Sequence, residues 1–312
     1  MIREEALKLA LESKKETLRQ KTAAREAKIA ALAKNNAEYL ECGRAVSALG
    51  AKLASVALSG NSADLEKLKT ELEKLYKKRE SIIEAAGIGP IEYECEKCAD
   101  TGYVNGALCE CVTAAAGKLM LEDLANGSQS KNCTFENFDL SFYTDEQAKK
   151  RMKAVFELAK KYAAGFSGST RENLLFMGNT GLGKTHLSLA IANEVIKKGY
   201  GVIYSPAYNL FGEIEAEHFS KHTNKTYENA VNCDLLIIDD LGGEFVSPYI
   251  ESVAYNVINT RINNGKPTII NTNLGMARIS EIYTPRVASR FIGDYTAKAF
   301  LGSDIRQLKN QK

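Results

Sequence analysis

One decapeptide, GNTGLGKTHL from Gly178 to Leu187, limits what this chain can become more than any other stretch. An apolar run, NLLFMG, leads directly into it, and a helix-patterned segment leaves it at Lys184. Gly178, Gly183, Lys184 and Thr185 fit the spacing G-x-x-x-x-G-K-[ST]. Glycines let successive backbone N–H groups turn inward on phosphate oxygens, and the start of the helix adds the positive end of its dipole. The pattern predicts a phosphate cradle made of Gly178, Asn179, Thr180, Gly181, Leu182, Gly183, Lys184, Thr185 and His186. Lys184 would reach the β and γ phosphates, and the Thr185 hydroxyl would meet Mg2+. The bland alternative is a glycine-rich turn that holds nothing. The strand pattern before it and the helix pattern after it argue against that.

The residues around the decapeptide alternate short apolar runs with helical stretches: NLLFMG, GVIYSP, DLLIIDD and PTIINTN, separated by segments such as YIESVAYNVINTRINNG. Such alternation predicts a parallel sheet covered by helices on both faces, an α/β class. In CDLLIIDDLGGE the apolar residues Leu235 to Ile238 bury a strand and deliver Asp239 and Asp240 to its carboxyl end, where open α/β sheets bind ligands. Asp239 is the candidate Mg2+ carboxylate, and Asp240 the candidate that orients or deprotonates an attacking water. Neighbouring strand residues face opposite ways, so the two are expected to do different jobs. A polar strand end facing solvent is the alternative.

Taken in order, GKTHL, LLIIDDLGGE, RINNGKPTIINTNL, RVASRF and GSDIR resemble the AAA+ ATPases of the DnaC, DnaI and IstB group, bacterial helicase loaders and related transposition ATPases. The resemblance covers roughly residues 133 to 312. It implies an AAA+ P-loop sheet binding ATP and Mg2+. It also implies that the Asn273 amide lies near the γ-phosphate, with Thr272 the weaker candidate. Arg290 would be a finger reaching the ATP site of an adjacent copy, with Arg286 on the same helix face, and Arg306 would be a phosphate contact within its own chain. Asn137 and Phe138 in FENF become candidates for contact with the base. A guanidinium supplied across an interface can be worth about 10³ to 10⁵ in rate, and it would tie hydrolysis to assembly. An ordinary surface ion pair is the rival role for Arg290. Asn179 and Thr180 depart from the small residues or proline common in such loops, and Asp240 stands where many relatives place Glu, so Glu244 could share its work. Only six residues follow Arg306. Enclosure of the nucleotide is therefore expected to rely on a neighbouring copy.

Upstream the texture differs. Residues 1 to 86 are rich in Ala, Leu, Lys and Glu and contain no proline, which predicts long helices with a break at Ser59 to Asp64. Leu65, Leu68, Leu72 and Leu75 then step by 3, 4 and 3 along one helix face, to be covered by a second helix of the chain or by a partner. GIGP, Gly87 to Pro90, ends this arm. Between it and the linker ANGSQSKN stands CEKCADTGYVNGALCEC, with four of the chain's seven cysteines. Cys95 and Cys98 form C-x-x-C, and Cys109 and Cys111 form C-x-C; two close pairs on a short loop suit a structural Zn2+ held by four thiolates. A redox pair is the rival reading, but no βαβ pattern surrounds Cys95, and Cys133 is a substitute ligand. The expected division is 1–86 helical arm, 87–130 cysteine segment and linker, 131–312 ATPase domain. Thr144 and Gln147 read as a capping box for a helix running towards Gly165.

Lys and Arg total 41 against 39 Asp and Glu, a net charge of +2, so no strong field drives the whole molecule to nucleic acid or anionic membrane. With no run of 18 uncharged apolar residues, a cytoplasmic protein without membrane contact is expected. His218 and His222 lack the Glu of H-E-x-x-H and read as a solvated helix face, while Phe219, Lys221, Lys225 and Tyr227 are candidates to line a path for single-stranded DNA. The leading expectation is a loader of a replicative DnaB-type helicase onto single-stranded DNA, self-associating through its ATP sites. An IstB-like ATPase assisting a transposase is the alternative. A third possibility is an ATP switch that does not hydrolyse.

Overall fold

The computed structural model describes residues 2–59, 62–127, 133–220 and 224–309. The chain divides into two compact units, residues 11–109 and residues 1–10 with 110–312.

The first unit is built from helices. Helix α1 spans Arg3–Asn35, of which residues 11–35 belong to this unit, α2 spans Ala37–Ser59 and α3 Ser62–Ala85. A single long helix before Ser59 is not formed, because the Asn36 side chain accepts the Tyr39 N–H at 2.9 Å and so starts α2 anew. Helices α2 and α3 run antiparallel: Lys78 lies 3.1 Å from Glu38, the Arg79 guanidinium sits 5.4 Å from the Tyr39 ring centroid, and the Cys42 thiol faces the Leu75 carbonyl. The leucine stripe therefore meets its own chain, half-buried because a hairpin covers only one side of it. Gly87, at φ +75°, ends α3 with a Schellman turn in which the Gly87 and Ile88 N–H groups donate to the Glu84 and Ile83 carbonyls. Ile83, Ile88 and Tyr39 close a small core there. Strands β1 (Tyr103–Val104) and β2 (Ala107–Leu108) pair antiparallel across Asn105 and Gly106, both at positive φ, as a two-residue Asn-Gly hairpin requires.

The second unit holds the sheet. Helix α4 (Glu110–Gly127) and a short 3₁₀ turn (Leu140–Phe142) precede α5 (Glu146–Gly165). The expected box at Thr144 is replaced by Asp145, whose carboxylate accepts the Ala148 N–H at 2.8 Å. An acid one residue later has the extended backbone and the reach that a helix cap needs. Then follow β3 (Asn173–Met177), α6 (Lys184–Lys197), β4 (Val202–Pro206), α7 (Ala207–Phe219), α8 (Lys225–Asn232), β5 (Leu235–Leu241), α9 (Pro248–Asn263), β6 (Thr268–Thr272), α10 (Met276–Tyr283), α11 (Pro285–Asp294), β7 (Tyr295–Ala299) and α12 (Ile305–Lys309). The strand order is β4-β5-β6-β3-β7 and every pairing is parallel. This is the sheet flanked by helices that the sequence predicted. Leu235 to Ile238 are fully buried, as a strand covered on both faces must be.

Arg261 of α9 fastens the amino-terminal edge of this sheet. Fully buried, it donates to the carbonyls of Ala230 (2.7 Å), Cys233 (3.0 Å) and Pro267 (2.6 Å) and to the Thr268 hydroxyl (2.9 Å). The last carbonyls of α8 have no partner within their own helix, and the guanidinium supplies one. Arg261→Met, which keeps the volume and removes the donors, should cost on the order of 3 kcal/mol. A lower urea midpoint with an unchanged m value checks this; an unchanged midpoint contradicts it.

Candidate functional site

The phosphate loop stands where the sequence put it, between β3 and α6 at the carboxyl ends of the strands. Gly183 adopts φ +87° as the residue before α6, and a Cβ there would lie 3.0 Å from the Phe138 ring. At Gly181, φ +75°, a Cβ would fall 1.9 Å from the Asp304 carboxylate. Both sites exclude side chains, so the backbone can present its N–H groups. Tyr143 holds the loop from below, its hydroxyl donating to the Leu182 carbonyl at 2.8 Å. The Ile305 N–H donates to the Gly181 carbonyl at 3.0 Å, which sets the short α12 beside the loop. Asn179 and Thr180 face solvent.

Lys184 is buried, and its ammonium donates to the carbonyls of Gly178 (2.6 Å) and Asn179 (2.7 Å) and to Asn273 Oδ1 (2.7 Å). Burial lowers its pKa to about 8; Asp239 and Asp240 pull against that, and Arg306 adds to it. One carboxylate gathers the strands around this lysine. Asp239 accepts from the Thr185 hydroxyl at 2.9 and 3.1 Å, from Tyr204 at 2.6 Å and from the Asn271 amide at 2.7 Å. Asn271 also donates to Ser188 of α6 at 2.8 Å. The Tyr204 phenol is pushed well above its usual range, first by burial and then by Asp239, so it stays a donor.

Sequence reading missed Tyr204 and Asn271. The available signal was a polar residue inside an otherwise apolar strand, in GVIYSP and PTIINTN. Thr272 turns away and donates to the Leu241 carbonyl at 2.7 Å, closing β5 onto β6.

Asp240 sits at φ +53°, where the β5 to β6 register shifts between Ile238 and Leu241. This bulge re-aims the side chain, and Asp240 accepts from Asn273 Nδ2 at 2.8 Å. Asp239 and Asp240 thus part as expected, one buried on Thr185 and the other exposed on Asn273. Glu244 is committed elsewhere. It accepts from the Gly242 N–H at 2.9 Å and from the Tyr283 hydroxyl.

The remaining candidates lie outside this hydrogen-bonded group. Arg290 lies on α11 in a partly exposed pair with Asp294 at 3.5 Å, and Arg286 is exposed on the same helix. Arg306 is exposed at the start of α12, two residues from the Asp304 that faces Gly181. His186 meets the Thr134 carbonyl at 2.9 Å and packs edge-on against Phe138. Asn137 accepts the Thr134 N–H at 2.9 Å, and Phe138 is buried under the loop. Phe219, 70% exposed, clusters with the rings of His218 and Tyr249. Lys225 instead pairs with Glu5 at 2.7 Å, and Tyr227 packs towards the core. Lys221 and His222 lie outside the described residues.

The four sulfurs of Cys95, Cys98, Cys109 and Cys111 lie within 4.8 Å of one another, and no disulfide joins them. A tetrahedral ion with 2.3 Å metal–sulfur bonds separates its sulfurs by roughly 3.8 Å. Cys95 and Cys109 Sγ are 3.8 Å apart, so the donor set could hold a metal ion. Cys133 is not in the group. Asp100, also missed in the sequence, organises the turn by accepting the N–H groups of Glu94 (2.8 Å) and Cys95 (2.9 Å). Burial pushes its pKa up, but those two bonds and the ammonium groups of Lys14 and Lys21 outweigh burial and hold it below the usual carboxylate range.

A glycine loop, a buried lysine and a hydroxyl-bound aspartate on a parallel sheet define a P-loop nucleotide-binding protein. Residues 118–294, more than half of the chain, match the family described as IstB-like ATP binding protein, and the chain belongs to that family. It is similar to the replicative helicase loader DnaC of Escherichia coli (strain K12), 26% identical over 162 residues, which are 51% of this chain and 63% of DnaC. It is also similar to the phage-like element PBSX protein XkdC of Bacillus subtilis (strain 168), 27% identical over 215 residues, 62% of this chain and 78% of that protein. The chain spans less than two thirds of the length of the DnaC relatives it matches. The crystal structure of the DnaC helicase loader superposes with a TM-score of 0.47 at 22% identity, over 53% of this chain and 97% of that one. No helix among the described residues is long and apolar enough to cross a membrane.

The lowered pKa of Lys184 has a stability signature. Its folded value, about 8, lies below the ordinary 10.5, so between those values the unfolded chain binds the extra proton and stability rises with pH. Below about 8 the whole cost of the buried ammonium is present, at most roughly 3 kcal/mol. Urea unfolding at pH 7.5, 8.5 and 9.5 should therefore show wild type gaining on Lys184→Met as pH rises; a constant difference contradicts the assignment.

Proposed function

We propose that this chain is an ATPase that loads a replicative DnaB-type helicase onto single-stranded DNA, with copies associating through their ATP sites. The observations that carry the nucleotide part are the Lys184 ammonium, held at 2.6 to 2.7 Å by two loop carbonyls and Asn273, and the Thr185–Asp239 pair that follows it. Those bonds occupy a cation that phosphate oxygens would attract more strongly. Lys184 would exchange its loop carbonyls for the β and γ phosphates, and the N–H groups of residues 179–185 would take the rest. Thr185 and Asp239 would hold Mg2+, which when bound neutralises phosphate charge. Asp240, kept in position by Asn273, would orient the attacking water and accept its proton. Arg290 would leave its loose bond to Asp294 for the γ-phosphate of a neighbouring copy, and Arg306 would contact phosphate within its own chain.

In this reading the helical arm, residues 1–86, docks the helicase. Cys95, Cys98, Cys109 and Cys111 hold a structural Zn2+ that stiffens the segment 87–130. The rings of Phe219 and Tyr249 offer a stacking surface for unpaired bases. The similarity to DnaC supports the loader, whereas the IstB family match favours a second reading, in which the same motor assists a transposase.

Capture of a replicative helicase hexamer separates the two. With ATP present, wild type should co-purify with the hexamer, and Lys184→Ala should lose the ATP dependence; failure of wild type to bind in ATP rejects the loader. The zinc assignment predicts about one equivalent of metal per chain by elemental analysis, lost together with the 95–111 fold in Cys109→Ser. A metal-free wild type of unchanged thermal stability rejects it.

A further inference from the structure

Glu244 is the one acid of LLIIDDLGGE that turns away from Lys184. Its carboxylate is divided between two donors, the Gly242 N–H at 2.9 Å and the Tyr283 hydroxyl. Gly242 follows the Asp240 bulge at once, and the Gly243 N–H returns to the Asp240 carbonyl at 3.0 Å, so Glu244 closes the turn that sets Asp240. Tyr283 is fully buried and is the last residue of α10. Burial and then Glu244 push its phenol well above the usual range, which keeps the proton on Tyr283 and makes it the donor. The next residue, Thr284, serves at once as the end of α10 and the start of α11, at φ +85° and ψ 153°. A β-branched residue avoids that region unless its surroundings hold it there. Helix α11 then carries Arg286 and Arg290.

We propose that the Glu244–Tyr283 bond is a positioning link, fixing the strained α10–α11 corner to the Asp240 turn so that occupancy of one chain's nucleotide site sets the helix from which that chain offers Arg290. The inference rests on the reading of Arg290 given above. It departs from an auxiliary catalytic role for Glu244, because the carboxylate is spent on Tyr283 and the Gly242 backbone. The link is contiguous: Lys184 touches Asn273, Asn273 touches Asp240, the Asp240 turn ends in Glu244, and Glu244 holds Tyr283. Two sites joined by one discrete bond give that bond two states, made or broken, which is what coupling requires.

Tyr283→Phe tests this, since it keeps the buried ring and removes only the hydroxyl. In wild type, ATP with Mg2+ should slow amide exchange in residues 285–294 by about threefold or more. In Tyr283→Phe that response should vanish while ATP affinity stays within about twofold, and turnover should fall about tenfold with little change in KM. Glu244→Ala should act alike, and adding Tyr283→Phe to it should change nothing further. An equal α11 response in wild type and variant, an unresponsive α11 in wild type that binds ATP, or a loss confined to KM overturns the link. Should wild type fail to bind ATP, the reading of the site falls by itself. Ligand-free exchange then judges the link: α11 exchanging faster in Tyr283→Phe supports it, and unchanged exchange overturns it.

Discussion

The Asp239 carboxylate is the point on which the nucleotide end of this molecule depends. A buried anion is costly unless donors surround it, and here the donors come from Thr185 on α6, Tyr204 on β4 and Asn271 on β6. Satisfying one charge thereby fixes three other elements around β5. Through Thr185 the same carboxylate ties the start of α6, and with it the end of the phosphate loop, to the central strands. The neighbouring Asp240 lies at the register shift of β5, outside this buried group, and there it meets Asn273.

The same economy governs the cation. Lys184 is buried in a loop whose carbonyls and one amide satisfy it, and its lowered pKa reflects what burial costs the charge. A polyanion entering the loop would relieve that cost by replacing the loop carbonyls as partners of the ammonium.

Much of this was legible in the sequence, for physical reasons. The phosphate loop is local, and its glycines are fixed by backbone geometry, so the motif alone located it. The sheet was legible because strands buried on both faces must be apolar runs, as Leu235 to Ile238 are. The grouping of Cys95, Cys98, Cys109 and Cys111 followed from spacing, since two close pairs on a short hairpin have few other ways to lie. What escaped was long-range or one residue fine. Tyr204 and Asn271 reach Asp239 across 35 and 32 residues, and no local pattern announces such a meeting. Asp145 displaced Thr144 as a cap by a single position, and Asn36 cut a helix that composition alone would have run on. Glu244 was visible as an acid near the site, but its commitment to Tyr283, 39 residues away, was not.

In the proposed function the phosphate loop would belong to one chain and the arginine that completes it, Arg290, to the next. Mixing two inactive proteins tests that most directly. Lys184→Ala keeps Arg290 but lacks a working loop, and Arg290→Ala keeps the loop but lacks the arginine. Each alone should be at least about 10³-fold slower than wild type in phosphate release, and the mixture should recover a substantial part of the rate as total protein concentration rises. A mixture as inactive as its components, beside a wild type whose specific rate is the same at low and high concentration, would contradict it.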